Sequence, residues 1–443
     1  VSSGGAEAKP GSPELQDRLY RNDGVDSFTR TDGALPDVRE SSGHAAACDF
    51  DHDGDLDLFV AGRLVPGSFP DAPPSRLYRN DGGRFTDASA ELAPALATAG
   101  MVTSALFTDV DGDGWSDLLL AAQWQPIRLL KNTDGRFTDV SDAAGLLPHS
   151  GWWNSLCAFD VDDDGDLDYV AGNRGLNTKY KASAEHPAKL FFADFDQSGT
   201  RDLVEAKYGG DTLLPVRGRS CSSGAMPFLK QKFPTYEKFA KSTLAEIYSP
   251  EQLESCDSLS ATTLASCLLR NDGSGRFTLE PLPRRAQLAP IFGMVALGDL
   301  LVCAENSYAP EPETGRHDGG TGLVLRAVNG RLEVVPVREH GICFFGDRKA
   351  LAARRGGEGA VELVFSCNDG PLVAYSTAGR ALDGTFAPGT RLSFELPGGK
   401  RRAAEVSAGA GYLSQSAAIV VPSAATAVGI RAPGREEERR ELR

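Results

Sequence analysis

The 443-residue sequence lacks the short motifs that identify many enzymes and many metal-binding domains. Its eight cysteines form no CxxC or CxxCH pattern, which excludes zinc ribbons, thioredoxin-like redox motifs and c-type haem attachment. HExxH, GxSxG, a Walker-type phosphate loop and a GxGxxG after a strand are also missing. The six histidines form no metal-binding pair. We therefore expect no enzyme, with no catalytic residues and no organic cofactor.

Long apolar runs are missing too, so the sequence predicts no transmembrane span. No stretch approaches the ~18 uninterrupted apolar residues of a membrane-spanning helix. The chain begins at Val1 without a methionine, so we expect a processed chain or a piece of a longer one. The net charge of −15 argues against nucleic acid as a partner.

The acidic residues are concentrated in four nine-residue segments, at 49–57, 109–117, 160–168 and 194–202. These segments hold 18 of the 61 acidic residues and one of the 46 basic residues, Arg201. They read DFDHDGDLD, DVDGDGWSD, DVDDDGDLD and DFDQSGTRD. Carboxylates gathered in short loops are typical of cation sites, whereas a solvating acidic surface would spread them out.

A second phrase recurs between the acidic segments, at 18–29, 76–87, 128–139 and 268–279. Each copy places an Asn-Asp-Gly or Asn-Thr-Asp-Gly turn between two alternating apolar–polar stretches, which predicts a β-hairpin. Together the two phrases form a unit of strand, loop, strand and hairpin at intervals near 50 residues. This unit predicts an all-β fold, a seven-bladed β-propeller in which the hairpin at 18–29 helps to complete the last blade.

In the pattern D-x-D-x-D-G-x-x-D, side chains at positions 1, 3, 5 and 9 and the carbonyl at position 7 can converge on one hard cation. The glycine at position 6 permits the sharp turn, and flexible oxygen ligands suit Ca²⁺ better than Mg²⁺. We predict three calcium sites and a weaker fourth, because Ser198 replaces an aspartate and Arg201 adds a positive charge. The predicted metal-site residues are Asp49, Asp51, Asp53, Asp55, Asp57, Asp109, Asp111, Asp113, Trp115, Asp117, Asp160, Asp162, Asp164, Asp166, Asp168, Asp194, Asp196, Ser198 and Asp202.

With these repeats in view, the sequence resembles FG-GAP/VCBS-repeat proteins, the family of integrin-α-like β-propellers. Several further segments look like FG-GAP-like proteins related to cartilage acidic protein: GRLVPGSFP (62–70), GMVTSALFTDVDGDGW (100–115), GWWNS (151–155), AGNRGLNTKYKAS (171–183) and PFLKQKFPTYEKFAKSTLAEIY (227–248). The segment RRAAEVSAGAGYLSQS (401–416) is similar to the ASPIC/UnbV segment. The resemblance implies calcium binding, an extracellular or cell-envelope location, a bacterial origin, and roles in binding or adhesion.

The expected organisation follows from these patterns. An N-terminal segment (1–40) precedes the propeller repeats (41–380), a helical insertion interrupts them (220–266), and an ASPIC/UnbV-like β segment (381–433) and a charged tail (434–443) follow. In the insertion, apolar residues recur every three or four positions, and Ser249-Pro250-Glu251-Gln252 predicts the start of a second short helix. We expect the tail to be a solvated end.

Three functions remain open at this point. The first is a non-enzymatic, exported binding, adhesion or assembly module with an unidentified protein or glycan partner. The second is a carbohydrate-active lyase or hydrolase with its site in the central channel. The third is a structural subunit of a larger envelope complex, with the helical insertion as its docking arm. Trp152 and Trp153 are candidates for a sugar- or peptide-stacking platform, although consecutive tryptophans at a first strand more often pack in the core. Lys179, Tyr180 and Lys181 are candidates for lining the propeller face.

Overall fold

The computed structural model describes residues 1–25, 27–310, 314–416 and 418–442. Asp26 of the N-terminal hairpin and Arg443 of the charged tail lie outside the described residues. The fold is all-β, with antiparallel strands grouped into small sheets, and the predicted β-propeller is confirmed. None of the helices in the described ranges is long and apolar enough to cross a membrane.

Five blades follow one another along the chain. The first contains Ser41–Cys48, Asp57–Leu64, Arg76–Asp81 and Arg84–Asp87. The second contains Met101–Thr108, Asp117–Pro126, Arg128–Thr133 and Arg136–Asp139, with Ser150–Trp152 added to it. The third contains Ser155–Ala158, Tyr169–Gly172, Cys267–Asn271 and Phe277–Pro281. The fourth contains Ile291–Leu297, Leu300–Glu305, Leu323–Val328 and Arg331–Val334. The fifth contains Asp347–Arg355, Ala360–Asn368, Gly370–Ala381 and Val420–Val421.

The first strands of successive blades lie side by side, and the hydrophobic core lies between neighbouring blades. Phe59 and Phe107 pack between the first and second blades, and Leu119 and Tyr169 pack between the second and third. Strands buried on both faces explain why these segments read as nearly continuous apolar runs.

Two further four-stranded sheets complete a total of seven sheets with four or more strands in the described residues. The inserted sheet contains Ala188–Ala193, Asp202–Gly209, Thr212–Pro215 and Asp257–Ala261. The C-terminal sheet contains Arg391–Glu395, Arg401–Glu405, Ala427–Arg431 and Glu438–Glu441. The number equals the expected seven, but the inserted sheet is built within the third blade, and the C-terminal sheet lies outside the repeat series.

The fourth acidic segment, 194–202, belongs to the inserted sheet, which the chain builds between the second and third strands of the third blade. The sequence placed this unit as the next one in the series. A strand–loop–strand phrase has the same local pattern in a blade and in an insertion, so periodicity alone does not separate them.

The two chain ends also differ from expectation. The hairpin of Leu19–Gly24 and Ser27–Thr31 forms a separate two-stranded sheet in the described residues and completes no blade. In the charged tail, Glu438–Glu441 pairs with Ala427–Arg431 as a largely exposed edge strand, so the tail is solvated but is held by strand pairing.

The helical insertion consists of five short helices, at Arg219–Ala225, Phe228–Lys232, Tyr236–Ala240, Leu244–Tyr248 and Pro250–Ser255. Pro234 interrupts the expected helix over 227–248, because proline has no N–H and restricts the residue before it. Thr235 and Thr243 restart it as N-caps, and Ser249 caps the last helix as predicted. Phe233, Phe239 and Ile247 are buried against Phe191 and Val204 of the inserted sheet.

Short helical turns connect the remaining strands, at Pro13–Leu15, Ser89–Leu92, Pro94–Thr98, Arg284–Gln287, Val337–His340, Gly357–Gly359 and Pro397–Gly399. All eight cysteines lie in the described ranges, and seven of them are free thiols: Cys48, Cys157, Cys256, Cys267, Cys303, Cys343 and Cys367.

The segment 406–416, which we call the axial segment, runs past the first strands of the blades. Phe107 N donates to Ala408 O at 3.0 Å, and Gly411 N donates to Leu156 O at 2.8 Å. Ser104 Oγ donates to Gly411 O, and Ala353 N donates to Ser416 Oγ. The axial segment therefore occupies the middle of the blade assembly, where a propeller would have its central channel.

Candidate metal centres

Each acidic loop joins two adjacent strands of one sheet. The loops at 49–57, 109–117 and 160–168 connect the first two strands of the first, second and third blades. The loop at 194–202 connects the corresponding pair in the inserted sheet. The strands hold the ends of every loop at hydrogen-bonding distance, which fixes the loop as a compact turn.

The four loops share one backbone conformation. Position 4 has a positive φ in every copy: His52, Gly112, Asp163 and Gln197. Position 6 is a glycine with φ between 85° and 99° in every copy, Gly54, Gly114, Gly165 and Gly199. The amide of that glycine donates to the position-1 carboxylate at 2.8–3.3 Å. The repeated sequence therefore produces a repeated geometry.

This geometry brings carboxylate oxygens together. In each loop three carboxylates offer oxygen atoms that all lie within 4.8 Å of one another. The clusters are Asp49, Asp51 and Asp53; Asp109, Asp111 and Asp113; Asp160, Asp162 and Asp164; and Asp194, Asp196 and Asp202.

Several of these oxygens are buried with no hydrogen-bond partner among the described residues, namely Asp49 Oδ1, Asp109 Oδ1, Asp111 Oδ1 and Asp162 Oδ1. Unpaired, mutually repelling carboxylate oxygens are costly to bury unless a cation neutralises them. An all-oxygen donor set of this kind fits a hard divalent cation.

The position-9 aspartates have another role in the first three loops. Asp117 accepts hydrogen bonds from Val110 N at 3.2 Å and Asn132 N at 2.7 Å. Asp57 and Asp168 accept the equivalent pairs, and Asp202 accepts from Phe195 N. In the first three loops this carboxylate ties the loop to the hairpin of the same blade. Asp202 is instead one of the three clustered carboxylates of its loop. Metal ligation by the position-9 aspartates stays a prediction.

Burial raises the pKa of several loop carboxyls. The pKa of Asp57 rises to about 7, that of Asp117 to about 8 and that of Asp160 to about 7, with desolvation as the largest cause. Nearby aspartates raise the pKa of Asp57 and Asp160 further. A divalent cation would oppose this shift, because it stabilises the charged form.

Positions 5 and 7 support one another. The amide of Asp55 donates to Asp53 Oδ1 at 2.8 Å, and the amides of Trp115 and Asp166 make the same bond to Asp113 and Asp164. In the fourth loop the hydroxyl of Ser198 replaces the carboxylate and contacts Thr200 Oγ1 at 2.8 Å. Arg201 turns away from the loop and pairs with Asp71 at 2.7 Å, so it does not place its charge on the cluster as expected.

Basic groups that we did not predict reach two of the loops. Lys131 Nζ donates to Asp111 and, at 2.9 Å, to Asp113 Oδ2. Arg270 Nη1 donates to Asp162 Oδ2 at 2.8 Å. Both residues directly precede the Asn of the hairpin phrase, and Arg79 holds the same place in the first blade. The recurring basic residue was therefore a visible signal, but its contact with the loop depends on how the blade folds.

The C-terminal sheet adds more positive charge. Arg431 Nη2 lies 3.2 Å from Asp109 Oδ2, with Arg391 beside it, and Arg402 Nε donates to Asp163 Oδ1 at 2.7 Å. Ala403 N donates to Asp160 Oδ2 at 2.7 Å. The acidic loops of the second and third blades are therefore also the surface on which the C-terminal sheet packs.

Comparisons with known proteins agree with the repeat pattern. Residues 109–171, which include the second and third acidic loops, match the model of the FG-GAP-like repeat. A search of curated protein sequences gives no match.

Among solved structures, an α-L-arabinofuranosidase from Clostridium thermocellum is similar at 11% identity and a TM-score of 0.25 over 87% of this chain and 95% of that one. Chaetomium thermophilum Sqt1 bound to the N-terminus of ribosomal protein L10 is similar at 12% identity and a TM-score of 0.22, over 84% and 97%. Likeness this low carries no argument about function. The family likeness that the comparisons support is therefore to FG-GAP-repeat proteins, over residues 109–171.

Proposed function

We propose that the protein is a calcium-binding β-propeller that serves as an exported binding, adhesion or assembly module and catalyses no reaction. The observation that carries this proposal is the shared geometry of the four acidic loops. Each copy converges three carboxylates through the same two positive-φ turns, although the residues at position 4 differ completely. An ordinary Asp-Gly turn does not require three carboxylates whose oxygen atoms lie within 4.8 Å of one another.

Calcium is the favoured ion because the donors are oxygens on a flexible loop. Mg²⁺ demands near-ideal octahedral geometry and keeps several waters, whereas Ca²⁺ accepts 6–8 oxygens in varied arrangements. We propose three main sites and a weaker fourth, because Ser198 supplies a hydroxyl in place of a carboxylate.

The likeness to FG-GAP repeats supports an extracellular or cell-envelope location and a protein or glycan partner. The finer likeness to cartilage acidic protein, and that of residues 401–416 to the ASPIC/UnbV segment, belong to this proposal as well. In this proposal the bound ions stabilise the conformation of the loops, and the blades display a binding surface.

The alternative of an enzyme with a central-channel site has less support. The axial segment fills that position and hydrogen-bonds to Phe107 and Leu156 there. A glycoside hydrolase commonly uses two carboxyl groups that flank the scissile bond. Among the described residues that line the cleft beside Trp124 and Trp152, Glu205 is the one carboxylate, and it already pairs with Arg217.

The structure also gives less support to the alternative in which the helical insertion is a docking arm. It required an uncovered apolar face on the helical insertion, but Phe233, Phe239 and Ile247 pack on the inserted sheet. Tyr236 remains exposed, with 64% of its surface accessible, and one exposed tyrosine is ordinary for a surface helix.

Calcium titration followed by thermal melting tests the proposal. Modules of this kind bind calcium at ~0.1–1 mM, and a site occupied at 100 times its Kd adds about 2.7 kcal/mol to the free energy of unfolding. We expect the melting temperature to rise with calcium, to rise little with magnesium, and to fall in excess EGTA.

Asp51→Asn should remove part of the calcium response, whereas Asp37→Asn, which changes a surface carboxylate paired with Arg39, should leave it unchanged. An identical melting curve in calcium and in EGTA, together with no metal by elemental analysis, would refute calcium binding.

A further inference from the structure

A cleft of about 470 Å³ opens where the second and third blades meet the inserted sheet. Gln123 and Trp124 line it from the far end of Asp117–Pro126, away from the acidic loop, and Trp152 lines it from Ser150–Trp152. Arg174 and Tyr180 contribute from the connection that leads to the inserted sheet. The volume lies within the ~300–1,000 Å³ range of small-molecule sites.

One wall of the cleft is aromatic and rigid. The ring centroids of Trp124 and Trp152 lie 4.7 Å apart, and those of Trp152 and Tyr180 lie 4.8 Å apart, both in edge-to-face contact. Trp124 has a φ of 62°, a conformation that a bulky residue rarely adopts and that the surrounding packing must hold. Trp153, by contrast, is fully buried between the second and third blades. Of the two consecutive tryptophans, Trp152 therefore lines the cleft and Trp153 belongs to the core.

A guanidinium without a carboxylate partner faces this wall. Arg174 lies 5.2 Å from the centroid of the Trp152 ring, and its Nη2 contacts His317 Nε2 at 2.7 Å. Burial and the charge of Arg174 lower the pKa of His317 to about 4, so the imidazole is neutral at pH 7. No described carboxylate forms an ion pair with Arg174, and a half-buried charge of this kind favours an anion in the cleft.

Polar groups in the lining of the cleft can recognise hydroxyls. Glu205 pairs with Arg217 and accepts a hydrogen bond from the Tyr180 hydroxyl at 2.9 Å. The side-chain oxygen of Gln123 accepts from Arg63 Nη2 at 3.1 Å, which orients its amide group. An aromatic carboxylate would use the wall and Arg174 but would leave these polar groups without ligand partners. A hydroxylated ring that bears a carboxylate can contact the aromatic wall, Arg174 and these polar groups.

We propose that this cleft binds a carboxylated sugar of the uronic-acid type, with the sugar ring against Trp124 and Trp152 and the carboxylate at Arg174. This inference rests on the proposed role as a binding module and gives that role a ligand class. The site lies outside the acidic loops, so it does not require calcium as a ligand.

Titration with methyl glucuronide, followed by tryptophan fluorescence and calorimetry, tests the inference. Two of the four tryptophans line the cleft, so binding should change the emission. We expect methyl glucuronide to bind at least tenfold more tightly than neutral methyl glucoside and than benzoate. Equal affinity for methyl glucoside would refute carboxylate recognition. Binding of benzoate without binding of methyl glucuronide would refute the sugar, and no binding of methyl glucuronide at 10 mM would refute the site.

Variants sharpen the test. Arg174→Gln should weaken methyl glucuronide at least tenfold, whereas Lys181→Gln, an exposed cation in the same connection, should leave affinity unchanged. If Arg174→Gln fails to fold, Arg174→Lys retains the charge without the planar fork and should still bind more weakly than the parent. Unchanged affinity in a folded Arg174 variant would refute the inference.

Melting curves in calcium and EGTA, recorded without sugar on the same samples, separate the two proposals. A calcium response without glucuronide binding overturns only the ligand class. Glucuronide binding without a calcium response overturns calcium binding and leaves the cleft assignment intact.

Discussion

At the residue scale, the second acidic loop shows how one side chain can compete with an ion. Lys131 donates to both Asp111 and Asp113, two of the three clustered carboxylates. The first loop has no ion pair to its cluster among the described residues, since Arg79 pairs with Asp81. We therefore infer that the first loop binds calcium more tightly than the second, although their sequences suggest equal sites.

Replacing Lys131 tests this competition. Lys131→Gln should strengthen calcium binding at the second loop several-fold, because the ion no longer has to displace an ammonium group from its ligands. The emission of Trp115, which belongs to that loop and stacks on His52 at 4.1 Å, reports the titration.

Lys241→Gln serves as the matched control for Lys131→Gln, because it removes a surface charge that pairs only with Glu237 in the described structure. Weaker calcium binding in Lys131→Gln would show that the lysine helps to build the site.

At the element scale, the asparagines of the hairpin phrases in the second and third blades join neighbouring acidic loops. Asn132 Nδ2 donates to Ser116 O of its own blade and to Phe50 O of the first blade's loop, at 3.1 Å and 2.9 Å. Asn271 links the third blade to Val110 O of the second loop in the same way. The hairpin phrases therefore contact the acidic loops, and these contacts also connect neighbouring blades.

Asn132→Ala should destabilise the protein and loosen two loops at once. It leaves two buried carbonyl groups unpaired, which costs about 1–3 kcal/mol of unfolding free energy for each unsatisfied group. Amide exchange should accelerate at both 49–57 and 109–117.

Asn80→Ala is the comparison, because Asn80 is partly exposed and bonds to Leu56 O within its own blade. We expect a loss below about 1 kcal/mol there. Faster exchange confined to 109–117 in Asn132→Ala would contradict a role between blades.

At the scale of the whole molecule, the axial segment connects blades that are far apart in sequence. Gly409 has a φ of 94°, and a Cβ atom there would lie 2.2 Å from Ala105 O and 2.7 Å from His44 Nε2. The segment can pass between the first strands only because this residue has no side chain.

Gly409→Ala should therefore lower the free energy of unfolding by about 1–3 kcal/mol from overpacking, in addition to the cost of the positive φ. Urea denaturation measures the loss. Gly398→Ala is a matched control, because Gly398 has a φ of 80° and no atom within 4 Å of an added Cβ. Equal losses in the two variants would mean that the close approach contributes nothing.

The sequence by itself determined the repeating unit, the all-β propeller and the four acidic loops. These depend on local chemistry: Asn-Asp-Gly turns set the hairpins, and glycine at position 6 sets the loop, whatever surrounds them. Ser249 as a helix cap was predictable for the same reason.

Tertiary structure alone decided which chain segments share a sheet and what approaches each site. Strand pairing across 95 or more intervening residues placed Cys267–Asn271 beside Tyr169–Gly172 and left 194–202 in an inserted sheet. Packing of the C-terminal sheet brought Arg431 to Asp109, and the axial segment took the central position. Such contacts depend on loop closure between distant residues and on the burial of paired faces, and neither leaves a periodic signal in the sequence.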